Sequence, residues 1–277
     1  KLEWLLYLSG LLAVGLCWWM VQNQAIVGGL LGVAGAILVG YVLFTAVFKL
    51  DAQARNRILA AMFLILGSIL FWALFEQAGS SLNLYTDRYV DRAGVPASTF
   101  QSINAMYIVL LGPVFAGLWT WLGRRGLEPS APAKFGLALI QLGAGFLVLV
   151  AGAATGQMTP VLFIFLIYLL HTTGELCLSP VGLSAMNRLA PAHMASLIMG
   201  TWFFASATGN FAAGLIAGAT GSEAASGEGA GKEIVLAVYN DIGMIAIVVG
   251  VAVLVIAPLI KKLMHLDTLA EDTAPQG

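Results

Sequence analysis

The chain contains eight long stretches of apolar residues, and these leave few folds open to it. A helix needs about 20 largely apolar residues to cross a hydrocarbon core, because no water is present there to satisfy exposed backbone groups. The eight stretches lie at about 4–21, 25–48, 57–85, 101–122, 135–154, 160–187, 195–219 and 234–260. We therefore predict an all-α polytopic membrane protein with eight crossings, in contact with the lipid bilayer.

The overall composition excludes several classes of function. Hydrophobic residues make up 60% of the chain and charged residues 10%, against about 45–50% and 25% in an average soluble domain. The net charge of −1 gives no basic surface for nucleic acid. The two cysteines, Cys17 and Cys177, lie in apolar stretches and are too few for a disulfide framework or a zinc cluster. We expect no metal and no cofactor.

Lysine and arginine are divided unequally between alternate connections. One side of the membrane would carry ten of them and the other three. The ten are Lys1, Lys49, Arg55, Arg57, Arg124, Arg125, Lys134, Arg188, Lys261 and Lys262; the three are Arg88, Arg92 and Lys232. Basic residues are retained on the cytoplasmic side during insertion, so we expect a protein of the inner (plasma) membrane with both ends of this chain cytoplasmic. Because Lys1 is followed at once by the first crossing, we also expect a piece of a larger protein.

The third stretch carries a carboxylate deep in the membrane. Trp72, Glu76, Ser80 and Asn83 recur at spacings of three or four residues, which predicts that they share one helix face. An ionisable side chain at mid-bilayer costs about 2.5–3.5 kcal/mol on insertion scales. A span therefore retains one mainly where it faces protein or a water-filled path.

The sixth stretch contains a second carboxylate. His171, Glu175 and Ser179 follow each other at intervals of four residues and are predicted to share a face. Pro180 cannot donate a backbone hydrogen bond, and Gly182 loosens the same turn. The sequence predicts a helix bend just beyond Glu175.

Polar residues also interrupt two other stretches. The seventh has Trp202, Ser206 and Asn210 at helical spacing, and the fourth has Asn104 near its start. Four helices with polar faces are not expected to turn them toward lipid, so we predict a shared aqueous cavity. An acidic and aromatic lining suits a ligand with an ammonium group. A carboxylate in a partly dry site also suits proton coupling, because its charge can change near neutral pH.

Each of these residues also has a purely structural interpretation. The two carboxylates could be hydrogen-bonded to neighbouring helices, and His171 is expected to pack with its ring satisfied. The remaining polar and aromatic side chains could pack in the bundle core or join helices by hydrogen bonds. These are Trp72, Trp202, Asn104, Ser206 and Asn210.

Two segments closely resemble a known transporter family. They are residues 71–77 (FWALFEQ), followed by Gly79, Ser80 and Ser81, and residues 174–184 (GELCLSPVGLS). Residues 100–104 (FQSIN) and the pair Trp202 and Phe203 fit the same pattern in the same order. Over about residues 55–260 the chain resembles the proton-dependent oligopeptide transporter (POT/PTR) family.

The resemblance implies the major facilitator fold, in which two six-helix bundles rock around a central cavity. Residues 51–263 would be the C-terminal six-helix bundle, residues 1–50 the helical hairpin that bacterial members insert between the bundles, and residues 264–277 a solvated cytoplasmic tail. The N-terminal bundle, with the family's signature of glutamates and arginine on its first helix, is absent from this sequence.

The resemblance also implies an activity and roles for individual residues. Di- and tripeptides would be taken up together with protons by alternating access. Glu175 would receive the peptide's α-ammonium group, and Asn104 would hydrogen-bond its backbone. Side-chain pockets would be lined by Trp72, Trp202 and Ser206. Glu76 would form a protonation-sensitive salt bridge with an arginine of the N-terminal bundle, and the bend at Pro180 and Gly182 would help to open the inner gate.

Two other functions stay open at this point. A carrier of the same fold could take another solute, such as nitrate or an amino acid. A membrane-embedded hydrolase could use Ser179 or Ser184 with His171, although the sequence indicates neither a base within reach of the hydroxyl nor an oxyanion hole.

Overall fold

The chain divides into two compact units, Lys1–Lys49 and Leu50–Gly277. The computed structural model describes residues 2–154, 158–221 and 231–266. Most of the tail expected at 264–277 lies outside the described residues. Helices dominate both units, because the long apolar stretches can satisfy their backbone groups only by internal hydrogen bonds.

The first unit consists of two helices. Helix α1 spans Leu2–Gln22 and α2 spans Gln24–Lys49, so Asn23 alone separates them. The Asn23 side chain donates to the carbonyl of Trp19 at 2.8 Å, where the first helix ends. Nearly all the large apolar side chains of α1 are exposed. Both helices are long and apolar enough to cross a membrane, which explains how such a surface is tolerated.

The second unit contains seven helices and two short strands among the described residues. The helices are α3 (Ala52–Phe75), α4 (Ser81–Tyr89), α5 (Ser102–Arg124), α6 (Ala131–Ala153), α7 (Leu162–Leu189), α8 (Ala195–Ala219) and α9 (Lys232–Leu263). The strands β1 (Val90–Asp91) and β2 (Thr159–Pro160) pair in parallel. Tyr85 and Thr159 join α4 to β2 by a hydrogen bond of 2.6 Å between their hydroxyls.

The prediction of an all-α polytopic membrane protein is confirmed. Seven segments of the described chain are long and apolar enough to span a bilayer, and one of them, Ala52–Tyr89, combines α3 with α4. The eighth predicted crossing is helix α8, whose 25 residues begin and end where the sequence indicates. Helix α8 carries small and polar side chains such as Ser206 and Asn210 along its length.

The third apolar stretch is not one continuous helix. Helix α3 ends at Phe75, a 3₁₀ turn covers Glu76–Gly79, and α4 begins at Ser81. The helical spacing of Trp72, Glu76, Ser80 and Asn83 is therefore broken, and the prediction that they share one helix face is wrong. Asn83 belongs to a different helix from Trp72.

Gln77 stabilises this break from inside the bundle. Its fully buried amide nitrogen donates to the carbonyls of Ala73 at 3.0 Å and of Ala213 at 3.1 Å. The amide oxygen accepts from the Ser81 hydroxyl at 2.6 Å, and Ser81 accepts from Tyr239 at 2.9 Å. Because buried polar groups need partners, this network holds the end of α3 and the start of α4 against α8 and α9.

Helices α6 and α9 approach each other at glycines. A Cβ atom on Gly136 would lie 2.8 Å from the Gly250 carbonyl oxygen, and one on Gly143 would overlap the Gly243 carbonyl oxygen. The pairing of Gly136 with Gly250 and Gly143 with Gly243 shows that the two helices run antiparallel. Glycine allows such contact between backbones where lipid supplies no hydrophobic drive for association.

We expect Gly143→Val to destabilise the full-length protein by about 1–3 kcal/mol, because a side chain at this position forces α6 away from α9. The matched control is Gly214→Val in α8, where a Cβ atom meets nothing within 4 Å. The melting temperatures of the two purified variants are measured by thermal unfolding in detergent. Equal melting temperatures for the two variants would contradict the assigned contact.

Candidate functional site

The four helices that carry the polar residues of interest are neighbours. Helix α3 packs against α7 and α8, α7 also packs against α8, and α5 packs against α7. These helices therefore pack together in the second unit, while the aqueous cavity predicted between their polar faces stays a prediction. Their packing brings residues that are more than 130 positions apart, such as Trp72 and Gly209, into contact.

Glu175 and Asn104 form the centre of the site. Both are half-buried, on α7 and α5 respectively. The Asn104 amide nitrogen donates to Glu175 Oε2 at 3.0 Å and to the Thr172 hydroxyl at 3.1 Å. A hydrogen bond to a carboxylate is stronger than one between neutral groups, so this contact fixes α5 against α7 and orients the acid.

Glu76 is the second carboxylate of the site. It is half-buried at the point where α3 ends, and the adjoining Phe75 ring contacts His171 on α7, the helix that carries Glu175, with ring centroids 6.2 Å apart. Within the described residues, the ion pairs join Arg92 to Asp87 and Lys134 to Glu128. Neither Glu76 nor Glu175 has a cationic partner in that part of the chain. The site therefore presents two neighbouring acids.

Trp72 and Ser206 lie on the helices beside the acids. Trp72 is half-buried on α3, with its ring against Phe71 and Phe75. Its indole nitrogen is buried and has no hydrogen-bond partner in the described structure. Ser206 is half-buried on α8, and its hydroxyl donates to the Trp202 carbonyl at 3.3 Å.

Trp202 is a core residue in this conformation. Its side chain is 2% exposed and packs edge-on against Phe135, with ring centroids 6.1 Å apart. A Cβ atom on Gly182 would overlap the six-membered part of the indole ring. The structure thus places Trp202 inside the α7–α8 contact instead of on an open wall, and Gly182 provides the space that it occupies.

Helix α7 runs without interruption through the position predicted to bend. Pro180 lies within the helix, and α7 is continuous over Leu162–Leu189. The proline removes one backbone hydrogen bond from the ladder. A hinge at Pro180 and Gly182 stays a prediction, since it concerns movement between two conformations.

His171 is enclosed by the bundle. Its side chain is 1% exposed, Nε2 lies 3.1 Å from the Leu142 carbonyl oxygen, and the ring packs against Phe146 at 4.8 Å between centroids. Among the described residues no serine hydroxyl hydrogen-bonds to this ring. A nucleophile and base pair of the kind that a hydrolase needs is therefore not assembled from His171 with Ser179 or Ser184.

A cavity of about 500 Å³ lies between α5, α6 and α7. Its lining includes Trp119, Lys134, Pro180, Ser184 and Arg188, but neither Glu76 nor Glu175. The two acids thus lie outside this cavity.

Sequence reasoning missed two residues that organise the site. Thr172 is fully buried and contacts Asn104 directly, and Gln77 fixes the helix break next to Glu76. Thr172 precedes Glu175 by three residues, which places both on one side of α7. Gln77 directly follows Glu76 in the sequence. A second polar residue inside an apolar stretch was therefore the signal that could have revealed its role.

The sequence profile of the POT family matches residues 17–234 of the chain. The chain belongs to the POT family. This match confirms the predicted family membership. It also places the pair of Asn104 and Glu175 in a family of membrane transporters.

Two relatives of this POT chain are named as peptide transporters. It is 38% identical over 195 residues to the peptide transporter YePEPT of Yersinia enterocolitica, covering 67% of this chain and 38% of the relative. It is 29% identical over 269 residues to dipeptide and tripeptide permease B of Salmonella typhimurium, covering 94% of this chain and 55% of the permease. The chain thus spans about half the length of the curated relatives it matches, or less.

A solved structure shares the fold over nearly all of the chain. It is a mutant peptide transporter POT in complex with alafosfalin, which matches with a TM-score of 0.75 and 32% identity. The match covers 93% of this chain and 53% of the solved one. This chain is therefore similar in fold to about half of a solved POT transporter.

We expect Gly182→Ala in the full-length POT protein to lower the melting temperature, because the new methyl group overlaps the Trp202 ring. The colliding atoms belong to the part of the indole that phenylalanine lacks. Combining Gly182→Ala with Trp202→Phe should therefore restore part of the loss. Thermal unfolding checks both variants, and an unchanged melting temperature for Gly182→Ala would refute this contact.

Proposed function

We propose that this chain is the C-terminal part of a proton-coupled symporter for di- and tripeptides that works by alternating access. The single observation that carries the proposal is the half-buried Glu175, held by Asn104 among helices that are long and apolar enough to cross a membrane. Two neighbouring carboxylates without a cationic partner in the described residues favour a positively charged ligand group. The names of the relatives support a peptide as that ligand.

Glu175 receives the α-ammonium group of the peptide in this proposal. A carboxylate accepts hydrogen bonds only, and an ammonium group donates only, so the two are complementary. Glu175 Oε2 already accepts from Asn104 at 3.0 Å, and the other lone pairs of the carboxylate are available to the ligand. Asn104 hydrogen-bonds the peptide backbone next to the ammonium group.

Glu76 takes part in proton coupling. It lies at the end of α3, which packs against α7, the helix that carries Glu175, so in this proposal a change in charge at either acid alters the free energy of charging the other. In the full transporter, Glu76 pairs with an arginine of the N-terminal six-helix bundle. Protonation of Glu76 weakens that salt bridge and lets the two bundles separate on one side.

Helices α7 and α8 shape the remainder of the peptide site. Trp72 and Ser206 are half-buried and line side-chain pockets in the proposal. Trp202 contributes through its packing, because it fills the space that Gly182 leaves between the two helices. Pro180 and Gly182 provide the hinge at which the second half of α7 moves in the inner gate.

We place the protein in the inner (plasma) membrane with both ends of this chain in the cytoplasm. Basic residues gather at the end of the second unit where α5, α7 and α9 finish and α6 begins, as in Arg124, Lys134, Arg188 and Lys261. Retention of basic residues on the cytoplasmic side supports this orientation. Arg125 packs over the ring of Trp121 at 4.0 Å, an aromatic contact suited to the membrane interface.

A carrier for another solute is the alternative to a peptide transporter. The two acids disfavour an anion such as nitrate, because like charges repel at short range. An amino acid also carries an ammonium group, so it fits the acids as well as a peptide does. Competition by free alanine against labelled dialanine separates these two substrates.

We expect Glu175→Gln to reduce kcat/KM for pH-driven uptake of labelled dialanine at least about tenfold, because glutamine cannot form the charged hydrogen bond with the ammonium group. Uptake is measured with full-length transporter in proteoliposomes. The control is Glu233→Gln, an exposed acid in the first turn of α9. N-acetylated dialanine, which lacks the ammonium group, should fail to compete in the wild type. Unchanged uptake by Glu175→Gln would remove this residue from the binding role.

We expect Glu76→Gln to abolish proton-driven accumulation of dialanine and to leave exchange of dialanine across the membrane intact. Glutamine cannot gain or lose a proton, so a pH gradient should no longer drive concentration of dialanine. Exchange of labelled for unlabelled dialanine across the membrane should persist. Both are measured in proteoliposomes, with and without an inward proton gradient. Gradient-driven accumulation at the wild-type level would show that Glu76 has no part in coupling.

A further inference from the structure

Thr172 controls the side-chain amide of Asn104 through a chain of hydrogen bonds. The Thr172 hydroxyl lies 2.7 Å from the Tyr168 carbonyl oxygen, to which it donates. A hydroxyl has one hydrogen, so this bond leaves Thr172 only as an acceptor toward any other group. The group that it accepts from is the Asn104 amide nitrogen, at 3.1 Å.

The same amide nitrogen also serves Glu175. A carboxylate accepts hydrogen bonds, and Glu175 Oε2 lies 3.0 Å from Asn104 Nδ2. The two hydrogens of the amide nitrogen are thus both used, one on Thr172 and one on Glu175. Rotating the amide by half a turn would put its oxygen against two acceptors, so only one orientation agrees with both neighbours.

This orientation decides what Asn104 offers to a ligand. Among the described residues, both hydrogen bonds of the Asn104 amide are made by its nitrogen, and none is made by Oδ1. Asn104 is half-buried, whereas Thr172 is fully buried and out of reach of a ligand. The site then presents two kinds of acceptor side by side: a carboxylate at Glu175 and an amide oxygen at Asn104.

We propose that Thr172 is a positioning residue of the peptide site, which holds the Asn104 amide so that its nitrogen orients Glu175 and its oxygen faces a donor on the ligand. The proposal rests on the peptide site described above. It adds a specificity rule: the site selects ligands that bring hydrogen-bond donors to both acceptors. Threonine suits this role because its branched side chain restricts rotation about χ1 and therefore fixes the hydroxyl.

The test replaces the hydroxyl and keeps the shape, in the full-length transporter. We expect Thr172→Val to raise the KM for dialanine by about tenfold with little change in kcat, because a hydrogen bond that organises the bound ligand is lost. Thr172→Ser keeps the hydroxyl and should stay within about twofold of wild type. Thr173→Val is the matched control, since the neighbouring hydroxyl bonds only to the Leu170 carbonyl within the described residues, at 3.1 Å.

A second set of variants shows whether Thr172 acts through Asn104. The dissociation constant of dialanine is measured on purified Asn104→Ala with and without Thr172→Val, so that variants inactive in transport can still be compared. We expect Thr172→Val to weaken binding in wild type and to have no further effect once Asn104 is alanine. Equal losses in both backgrounds, or a loss in Thr173→Val as large as in Thr172→Val, would overturn the proposal.

A ligand-free measurement separates this proposal from the peptide function itself. The melting temperatures of the wild type, Thr172→Val, Asn104→Ala and the double variant are measured without peptide. The effects of the two substitutions on the melting temperature should be non-additive, because the two side chains share a hydrogen bond. Additive effects would refute the positioning role of Thr172. Failure of the wild type to bind dialanine would instead refute the peptide function, while non-additive melting temperatures would still support the contact.

Discussion

The structure depends on the high free energy of placing a carboxylate inside a membrane. An isolated acid at mid-bilayer costs several kcal/mol, and this bundle contains two, Glu76 at the end of α3 and Glu175 on α7, on helices that pack against each other. Such an arrangement persists only if donors satisfy the acids or water reaches them. Asn104 supplies one donor to Glu175, and both acids are half-buried, so each keeps some exposed surface.

The packing of the helices makes this arrangement possible. Glycine contacts bring the backbones of α6 and α9 together, and α6 packs against α7, which carries Glu175 and Thr172. The buried network of Gln77, Ser81 and Tyr239 ends α3 at the level of Glu76. The acids are thus placed by backbone and amide contacts, and neither is fixed by a salt bridge within the described residues. Their charge is left available for function.

The sequence is sufficient to predict the membrane class, the helices and the presence of two acids inside the spans, because each depends on local composition. Apolar length gives the spans, and a charged residue inside a span, such as Glu76 or Glu175, is conspicuous by itself. The sequence does not predict the break after Phe75, since helical spacing continues through residues 76–83 and the 3₁₀ turn is stabilised by a partner 136 residues away. Trp202 is similar: its burial depends on the space left by Gly182, a contact between helices that no periodicity reveals. Thr172 was missed because its importance comes from one hydrogen bond to α5.

The most direct measurement is a structure of the full-length transporter with dialanine bound. We predict that the ammonium nitrogen lies within hydrogen-bond distance of the Glu175 carboxylate, with Asn104 Oδ1 facing a donor of the peptide. We also predict that Glu76 faces the N-terminal bundle. A structure in which the ammonium group binds elsewhere, while side chains of the N-terminal bundle enclose Glu175 on all sides, would contradict the central claim.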